Sequence, residues 1–289
     1  MSPEEWSSWP APAKLNLFLR ITGRRADGYH LLQTVFRLLD WGDQVRLRLR
    51  TDGRIVREAG AQGVSAEEDL AVRAAQLLQR EAGGNLPGVD ILIDKRIPIG
   101  GGLGGGSSDA ATVLVALDRL WKLGMAPDRL AEIGLGLGAD VPVFVHGRSA
   151  WATGVGERLE PLCLPPASYV IVDPGVHVST QALFQAPELT RHAAPATISG
   201  FMDGGVKDNV FAPLVRARHA RVAAAMDWLQ QFGPARLTGT GACVFLEVAT
   251  RADGEAIAAR CPKQFKAFVA DGVDASPLLA KVEGSDVGA

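Results

Sequence analysis

A glycine-rich segment at residues 100–106 is the part of the chain best suited to chemistry. Six of its seven residues are glycine, and Ser107, Ser108 and Asp109 follow it at a predicted helix start. Because glycine lacks a Cβ atom, a phosphate can approach the backbone amides of such a loop closely, and the helix N-terminus adds about half a positive charge. The segment therefore predicts an anion-binding loop, in preference to a turn that serves only packing.

Two known kinds of phosphate loop fit this segment poorly. A Walker A loop requires a Lys-Ser or Lys-Thr pair after its glycines, whereas the nearest lysine, Lys95, precedes them. Gly100, Gly102 and Gly105 satisfy the G-x-G-x-x-G pattern of dinucleotide sites, with Asp118 farther on. A long glycine run matches that pattern by chance, and several predicted strands precede it here. A nicotinamide-dependent oxidoreductase is therefore kept only as an alternative.

Asp140 and Lys14 are the candidate catalytic residues. Asp140 lies in a Gly-Ala-Asp-Val-Pro turn between apolar residues, at the predicted head of a strand, and a carboxylate near an alcohol can accept its proton. Lys14 begins an otherwise apolar strand, where an ammonium group is costly to bury unless it meets an anion. Asn16 follows on the same strand face. These residues alone leave two alternatives open. In one, Asp140 caps local backbone amides, and in the other, Lys14 reaches solvent.

The elements that would position these residues are both strands and helices. Strand patterns cover residues 14–21, 45–49, 89–94 and 169–172, an apolar run covers 31–39, and two strands flank the turn at Gly239 and Gly241. Helices are predicted from Leu70 to Gly83 after a capping box at Ser65 and Glu68, from Ser107 or Ser108 to near Gly124, and over residues 127–137 and 209–232. We expect an α/β (α+β) fold of two lobes, residues 1–160 and 161–289, with loosely held segments before Pro12 and after Pro277.

The composition excludes several other classes of protein. The 289 residues are 47% hydrophobic and 21% charged, enough to bury a large core. The 30 basic and 32 acidic residues are well mixed, so we expect no nucleic-acid or membrane partner. The three cysteines lack the spacing of a zinc or redox site, and the acidic, Pro-rich N-terminus differs from a secretory signal. We therefore expect a cytoplasmic protein, and the sequence leaves its oligomeric state open.

Three segments together resemble one superfamily of small-molecule kinases. They are PAKLNLFL at residues 12–19, PIGGGLGGGSSDAATVL at 98–114 and LTGTGACVF at 237–245. In this order they resemble the first motif, the phosphate loop and the third motif of the galactokinase, homoserine kinase, mevalonate kinase and phosphomevalonate kinase superfamily. The resemblance implies a two-lobed kinase fold with the active site in the cleft between the lobes, and ATP as the phosphoryl donor, usually with Mg²⁺.

The same resemblance assigns roles to individual residues. It implies that Asp140 is the general base and that Lys14 lies beside it, keeps it ionised and orients the acceptor hydroxyl. It places the nucleotide against Pro98, Gly100, Gly101, Gly102, Leu103, Gly104, Gly105, Gly106, Ser107 and Ser108, near Lys95, with a third-motif loop at Gly239, Thr240 and Gly241. The sequence shows no dedicated acidic cluster, so we name no protein ligand for a metal.

Two further segments resemble one branch of that superfamily. RADGYHLLQTVFRLLDWGD at residues 25–43 and GADVPVFV at 138–145 are similar to the branch that phosphorylates the 2-hydroxyl of 4-diphosphocytidyl-2-C-methyl-D-erythritol in non-mevalonate isoprenoid synthesis. The resemblance implies that Tyr29 and His30 recognise the cytosine, by stacking and by edge hydrogen bonds. It implies further substrate contacts at Asn16, Asp140, Thr180 and Phe184.

The sequence departs from the family pattern at two places. Thr238-Gly239 stands where Ser-Gly is usual, which keeps the hydroxyl, and Asp69-Leu70-Ala71 stands where Asn-Leu-Ile is common. An ionised Asp69 cannot donate a hydrogen bond, so a purine contact there is in question. No residue role is inferred from the family for residues 185–236, where the resemblance weakens. A kinase for mevalonate, homoserine or a sugar, and a nucleotide-binding protein without catalysis, remain as alternatives.

Overall fold

Two long antiparallel strands run through the centre of the molecule. The computed structural model describes residues 5–285, in which β1 (Ser7–Arg24) pairs with β2 (His30–Arg50) along nearly its whole length. The pairing is shifted at three places, between Pro12 and Lys14, between Asn16 and Leu19, and after Ile21. Such bulges bend a strand and re-aim its side chains, and here they occur in the segment that carries Lys14 and Asn16.

Eight more strands and ten helices complete the described residues. The strands are β3 (Ile55–Ala59), β4 (Gly88–Asp94), β5 (Ala150–Thr153), β6 (Arg158–Pro161), β7 (Ser168–Asp173), β8 (Arg236–Leu237), β9 (Val244–Val248) and β10 (Lys266–Val273). The helices are α1 (Leu70–Ala82), α2 (Gly105–Leu120), α3 (Pro127–Leu135), α4 (Val141–His146), α5 (Thr180–Gln185), α6 (Ile198–Met202), α7 (Ala212–Arg218), α8 (Ala220–Gln230), α9 (Arg251–Ala258) and α10 (Pro277–Ser285).

One mixed sheet connects the two halves of the chain. Its order is β3-β4-β2-β10-β7-β9-β8, and β1 and β5 also pair with β2. Only the β3–β4 pair is parallel among the described strand pairs. This confirms the predicted α/β class. The predicted lobe boundary falls between β6 and β7, and the division into residues 1–160 and 161–289 stays a prediction.

Helices cover this sheet with three groups of buried apolar side chains. Helices α1 to α4 pack on the half around β2 and β4, and α5, α7 and α8 pack on the half around β7 and β9. Between them, Phe18 on β1 and Tyr169 on β7 belong to a third group that joins both halves. Phe18 is fully buried although it alternates with Leu17 and Leu19, which are buried as well, so both faces of this strand are covered. None of the described helices has the length and apolar character that crossing a bilayer requires.

The structure corrects several predicted bounds. The segment before Pro12 is not loose in its described part, because β1 already pairs at Ser7, opposite Leu47; residues 1–4 lie outside the described part. The apolar run at 31–39 and the strand at 45–49 form the single strand β2. The helix after the glycines begins at Gly105, earlier than predicted, because Gly104 caps it in the left-handed conformation.

Three more predictions about helices were wrong in detail. The helix predicted over 209–232 is two helices, with His219 extended between α7 and α8. Asp140 precedes the helix α4 rather than a strand, because Pro142 occupies its first turn. Ser65 and Glu68 do hydrogen-bond each other, but Asp69 is the cap of α1 and accepts from the amide of Ala71. The expected loose tail forms α10, and residues 286–289 lie outside the described part.

A buried arginine holds β2 against β10. Arg37 is 1% exposed and pairs with Asp274 at 2.5 Å, while Nη2 donates to the carbonyl oxygens of Pro165 and Gly272. A Cβ atom on Gly272 would overlap Nε of Arg37. The junction between the halves of the sheet therefore depends on a residue without a side chain at this position.

We predict that Gly272→Ala lowers the free energy of unfolding by about 1 to 3 kcal/mol, because the methyl group overpacks the Arg37 site. Urea denaturation monitored by circular dichroism measures this change. Gly284→Ala in α10 is the matched control, since its Cβ atom would meet nothing within 4 Å. Equal unfolding midpoints for the two variants would contradict the prediction.

Candidate active site

A cleft of about 1520 Å³ contains most of the residues selected from the sequence. Its walls come from β1, the turn between β1 and β2, the glycine loop, the start of α4, α5 and the turn after β8. Of the predicted site residues, only Ser108 does not line it. Ser108 is fully buried, and its hydroxyl has no hydrogen-bond partner among the described residues. The structure therefore does not support Ser108 as a nucleotide contact.

The glycine loop needs glycine for its backbone and for its close contacts. Gly100, Gly102 and Gly104 have φ of 70°, 75° and 76°, values that residues with a side chain rarely adopt. A Cβ atom on Gly101 would lie 2.7 Å from Sγ of Cys243, and one on Gly104 would lie 2.8 Å from the ring of Phe144. The loop is therefore held between neighbouring segments rather than free in solvent.

The loop leads directly into the N-terminus of α2. This helix has 16 residues, and its first backbone hydrogen bond joins the amide of Ser108 to the carbonyl of Gly104 at 2.8 Å. The amides of the preceding residues have no acceptor within a helix, and the aligned peptide dipoles make this end positive. Since Gly105, Gly106 and Ser107 line the cleft, the site fits the phosphates of a nucleotide.

Lys14 and Asp140 meet beside this loop. Nζ of Lys14 lies 3.2 Å from Oδ2 of Asp140, 2.6 Å from Oδ1 of Asn16 and 3.1 Å from the carbonyl oxygen of Gly102. Lys14 is 3% exposed, whereas one third of the Asp140 side chain is accessible. Asp140 makes no capping hydrogen bond to α4, so the local capping alternative is not supported. A buried cation thus holds an accessible carboxylate at the cleft surface.

Aromatic residues form one end of the cleft. The rings of His30 and Phe184 stack with centroids 5.0 Å apart and planes at 27°, and Phe211 meets the other side of Phe184 edge-on. Tyr29 is 65% exposed. Burial, with charges on Arg191 and Arg24, lowers the pKa of His30, so its neutral form prevails at neutral pH. The imidazole then offers one donor and one acceptor, and Nε2 has no partner among the described residues.

A buried ionic group lies at the opposite end. Lys95 bonds Asp43 and lies 2.7 Å from Oδ2 of Asp109. Burial raises the pKa of Asp109 to about 7, and Lys95 opposes that rise; burial lowers the pKa of Lys95, but the two carboxylates outweigh it and the net direction is upward. Lys95 thus lines the cleft with its charge already compensated. Asp69 caps α1 and pairs with Arg57 at 2.7 Å, so its role here is structural.

Two residues that hold the walls of the cleft in place were not identified from the sequence. Asn209 donates to the carbonyl oxygens of Leu237 and Gly239 and thereby holds the third-motif turn. Arg191 lines the aromatic end, where it donates to the carbonyls of Phe184, Ala186 and Leu189. Both lie in the stretch 185–236, where the family resemblance weakens and no residue role was inferred from it. Across residues 5–285, no three or more His, Cys, Asp or Glu side chains form a group able to hold a metal ion.

Comparison with known proteins gives consistent matches. Residues 69–148 match the GHMP kinases N terminal domain, and residues 182–267 match the GHMP kinases C terminal domain. A 4-diphosphocytidyl-2-C-methyl-D-erythritol kinase of Xanthomonas euvesicatoria pv. vesicatoria (strain 85-10) is 59% identical over 99% of this chain and 97% of its own length. A kinase of the same name from Halorhodospira halophila (strain DSM 244 / SL1) is 55% identical over 95% and 96%.

Solved structures agree with these matches. A crystal structure of 4-(cytidine 5'-diphospho)-2C-methyl-D-erythritol kinase has a TM-score of 0.78 and 34% identity, covering 92% of this chain and all of that one. Homoserine kinase from Cytophaga hutchinsonii ATCC 33406 has a TM-score of 0.67 at 18% identity, covering 95% and 96%. The second similarity is one of fold alone.

We predict that Gly104→Ala weakens binding of a nucleoside triphosphate at least tenfold. Its methyl group would require a left-handed backbone and would lie 2.8 Å from Phe144 and 3.1 Å from Cε of Lys14. Titration calorimetry with ATP measures the affinity, and thermal unfolding identifies the folded fraction. Gly136→Ala is the control, because Gly136 has φ of −64° and its nearest contact would be 3.4 Å. Unchanged ATP affinity in folded Gly104→Ala would show that the loop serves packing.

Proposed function

The chain belongs to the GHMP kinases, in the family of the 4-diphosphocytidyl-2-C-methyl-D-erythritol kinases, and from this premise we propose how its cleft performs the family reaction. It transfers the γ-phosphoryl group of ATP to the 2-hydroxyl of 4-diphosphocytidyl-2-C-methyl-D-erythritol, a step of non-mevalonate isoprenoid synthesis. The observation that carries the mechanism is the contact of Lys14 with both Asp140 and Gly102 of the glycine loop. The proton acceptor therefore lies directly beside the phosphate site.

Asp140 acts as the general base in this proposal. Phosphoryl transfer to an alcohol requires an in-line arrangement, compensation of phosphate charge and an acceptor for the hydroxyl proton. One third of the Asp140 side chain is accessible, and the residue lines the cleft, so a hydroxyl can reach it, while Lys14 holds the carboxylate in place. The α2 N-terminus and the loop amides hold the transferring group opposite.

Mg²⁺ accompanies ATP in this proposal. The ion offsets the charge of the phosphates when it is bound. Ser107, Asp109 and Asp140 are the side chains with an oxygen atom that line the cleft next to the glycine loop and α4. Such a small set of protein oxygens suits an ion held mainly by phosphates and water.

The aromatic end binds the cytosine in this proposal. Tyr29 offers an exposed face for stacking, Phe184 supports the ring of His30, and neutral His30 presents its imidazole to the polar edge of the base. Thr180 bonds Thr240 at 2.8 Å and so links this end to the third-motif turn. Mevalonate, homoserine and sugars have no base for these groups. The aromatic end therefore favours the cytidyl substrate over the sibling alternatives.

Two of the earlier alternatives lose their support. Membership of the kinase family leaves no basis for a nicotinamide-dependent oxidoreductase. The intact Lys14–Asp140 pair argues against a nucleotide-binding protein without catalysis. We also propose that the enzyme works in the cytoplasm without a nucleic-acid partner, since its charges are mixed and its three cysteines are free.

We predict that Asp140→Asn lowers kcat about a hundredfold or more and leaves ATP affinity nearly unchanged, because the amide cannot accept the hydroxyl proton. A coupled assay of ADP release with the cytidyl substrate measures kcat, and calorimetry measures ATP binding. Asp128→Asn serves as the control, since Asp128 is 96% exposed. Single-turnover transfer by Asp140→Asn at the wild-type rate would rule out the general-base role.

We predict that His30→Ala raises KM for the cytidyl substrate about five- to 150-fold, which corresponds to about 1 to 3 kcal/mol for one edge contact and one stacking neighbour. ATP affinity should stay nearly constant, and cytidine diphosphate should compete with the alcohol substrate rather than with ATP. His192→Ala, at an exposed position, is the control. Competition of cytidine diphosphate against ATP alone would contradict the assignment of this end to cytosine.

A further inference from the structure

At a bulge in β1 near the active site, one backbone carbonyl accepts a hydrogen bond from a side chain. Asn16 lies opposite Phe36 and Leu19 opposite Thr34, so β1 has one residue more than β2 between these pairs. The carbonyl oxygen of Phe18, within the bulge, accepts a hydrogen bond from Oγ1 of Thr34 at 2.5 Å. Thr34 is 1% exposed. Its hydroxyl proton is therefore committed to a fixed backbone acceptor.

This commitment determines the orientation of the Asn16 amide. A threonine hydroxyl has one proton, so toward any second partner it can only accept. Nδ2 of Asn16 donates to Oγ1 of Thr34 at 2.9 Å. The other end of the amide, Oδ1, then faces Lys14, whose Nζ lies 2.6 Å away. The direction of each hydrogen bond follows from the one before it, starting at the carbonyl of Phe18.

Lys14 depends on that orientation. An ammonium group has three protons, and the described residues supply three acceptors, which are Oδ1 of Asn16, the carbonyl of Gly102 and Oδ2 of Asp140. If the amide were reversed, Nδ2 would face the ammonium group, donor against donor. Lys14 is 3% exposed, so water could not easily replace the lost acceptor.

We propose that Thr34 is a positioning residue for phosphoryl transfer, which acts through Asn16 on Lys14 and through Lys14 on Asp140. The proposal rests on the proposed general-base function of Asp140 and adds Thr34 to the residues that position this carboxylate. Thr34 fixes the side from which Asn16 presents its oxygen, and it thereby sets where the catalytic lysine holds the carboxylate. Its contribution belongs to the transfer step rather than to the binding of either substrate.

Thr34→Val tests this role, since valine keeps the branched shape and removes the hydroxyl. We expect kcat to fall about tenfold or more, while KM for ATP and for the cytidyl substrate stay within about twofold. Thr34→Ser restores the hydroxyl and should recover kcat to within about threefold of the wild type. A wild-type kcat in Thr34→Val, or no recovery in Thr34→Ser, would overturn the proposal.

The control variant Thr112→Val distinguishes a positioning role of Thr34 from a general loss of stability. Thr112 is also fully buried, and its hydroxyl donates to a backbone carbonyl, that of Pro10, at 3.2 Å. Thr112→Val leaves one buried carbonyl without its donor, and Thr34→Val also leaves Nδ2 of Asn16 without its acceptor. Both variants should lose stability in thermal unfolding, so kcat is compared at a temperature at which each is fully folded. Only Thr34→Val should lose kcat. An equal loss of kcat in both would mean that Thr34 acts through stability alone.

A double-mutant cycle tests the route through Asn16. Asn16→Leu removes the amide at similar volume, and Thr34→Val should then cause no further loss of kcat. Fully additive losses would contradict an effect transmitted by Asn16.

A spectroscopic measurement tests the proposal without relying on enzyme activity. The hydrogen-bonded ammonium protons of Lys14 should give a resolved ¹H–¹⁵N signal, which Thr34→Val broadens and Thr112→Val leaves unchanged. An unchanged Lys14 signal in Thr34→Val would overturn the positioning role even with an inactive enzyme. Absence of wild-type turnover on the cytidyl substrate would count against the proposed function, and the Lys14 signal would still decide the role of Thr34.

Discussion

A single buried positive charge, that of Lys14, brings the separate parts of the active site together. An ammonium group that is 3% exposed has little water to solvate it, so protein oxygens must surround it. They come from three places, which are Asn16 on the same strand, Gly102 in the glycine loop and Asp140 before α4. The fold can satisfy this charge only when these segments meet. The glycine loop and the carboxylate that we propose as the base are therefore brought together by the same interaction.

The C-terminal half of the chain supports this centre through hydrogen bonds and close backbone contacts. Thr238 is fully buried, and its hydroxyl accepts from the amide of Asn16 and donates to the carbonyl of Gly102. Its own carbonyl oxygen leaves no space for a Cβ atom on Gly102. Threonine supplies the same hydroxyl as serine, which explains why the departure from the usual third motif is compatible with an intact loop. Asn209 then holds the turn from behind.

The sequence predicted best what depends on local periodicity. Strands β4 and β7 are short, largely apolar runs and were found almost at their observed bounds. Helix α4 was missed because its run of valine and phenylalanine is typical of a strand, and burial against α2 and α3 decided otherwise. Neither glycine nor proline marks the break at His219. The meeting of Lys14 with Asp140 could be expected only from a family resemblance, since periodicity says nothing about residues so far apart in the chain.

The location of β10 also determines when the newly made polypeptide can become an enzyme. β10 lies between β2 and β7 in the sheet, although it is synthesised after all the other described strands. While the ribosome still holds this segment, the sheet has a gap at its centre, and Arg37 lacks the carboxylate of Asp274. The strands already released cannot join into one sheet, so this fold is completed only after β10 has left the ribosome. A nascent chain stopped before Lys266 lacks β10 and exposes unpaired strand edges on β2 and β7, which makes it a substrate for chaperones and proteases rather than a partly active kinase.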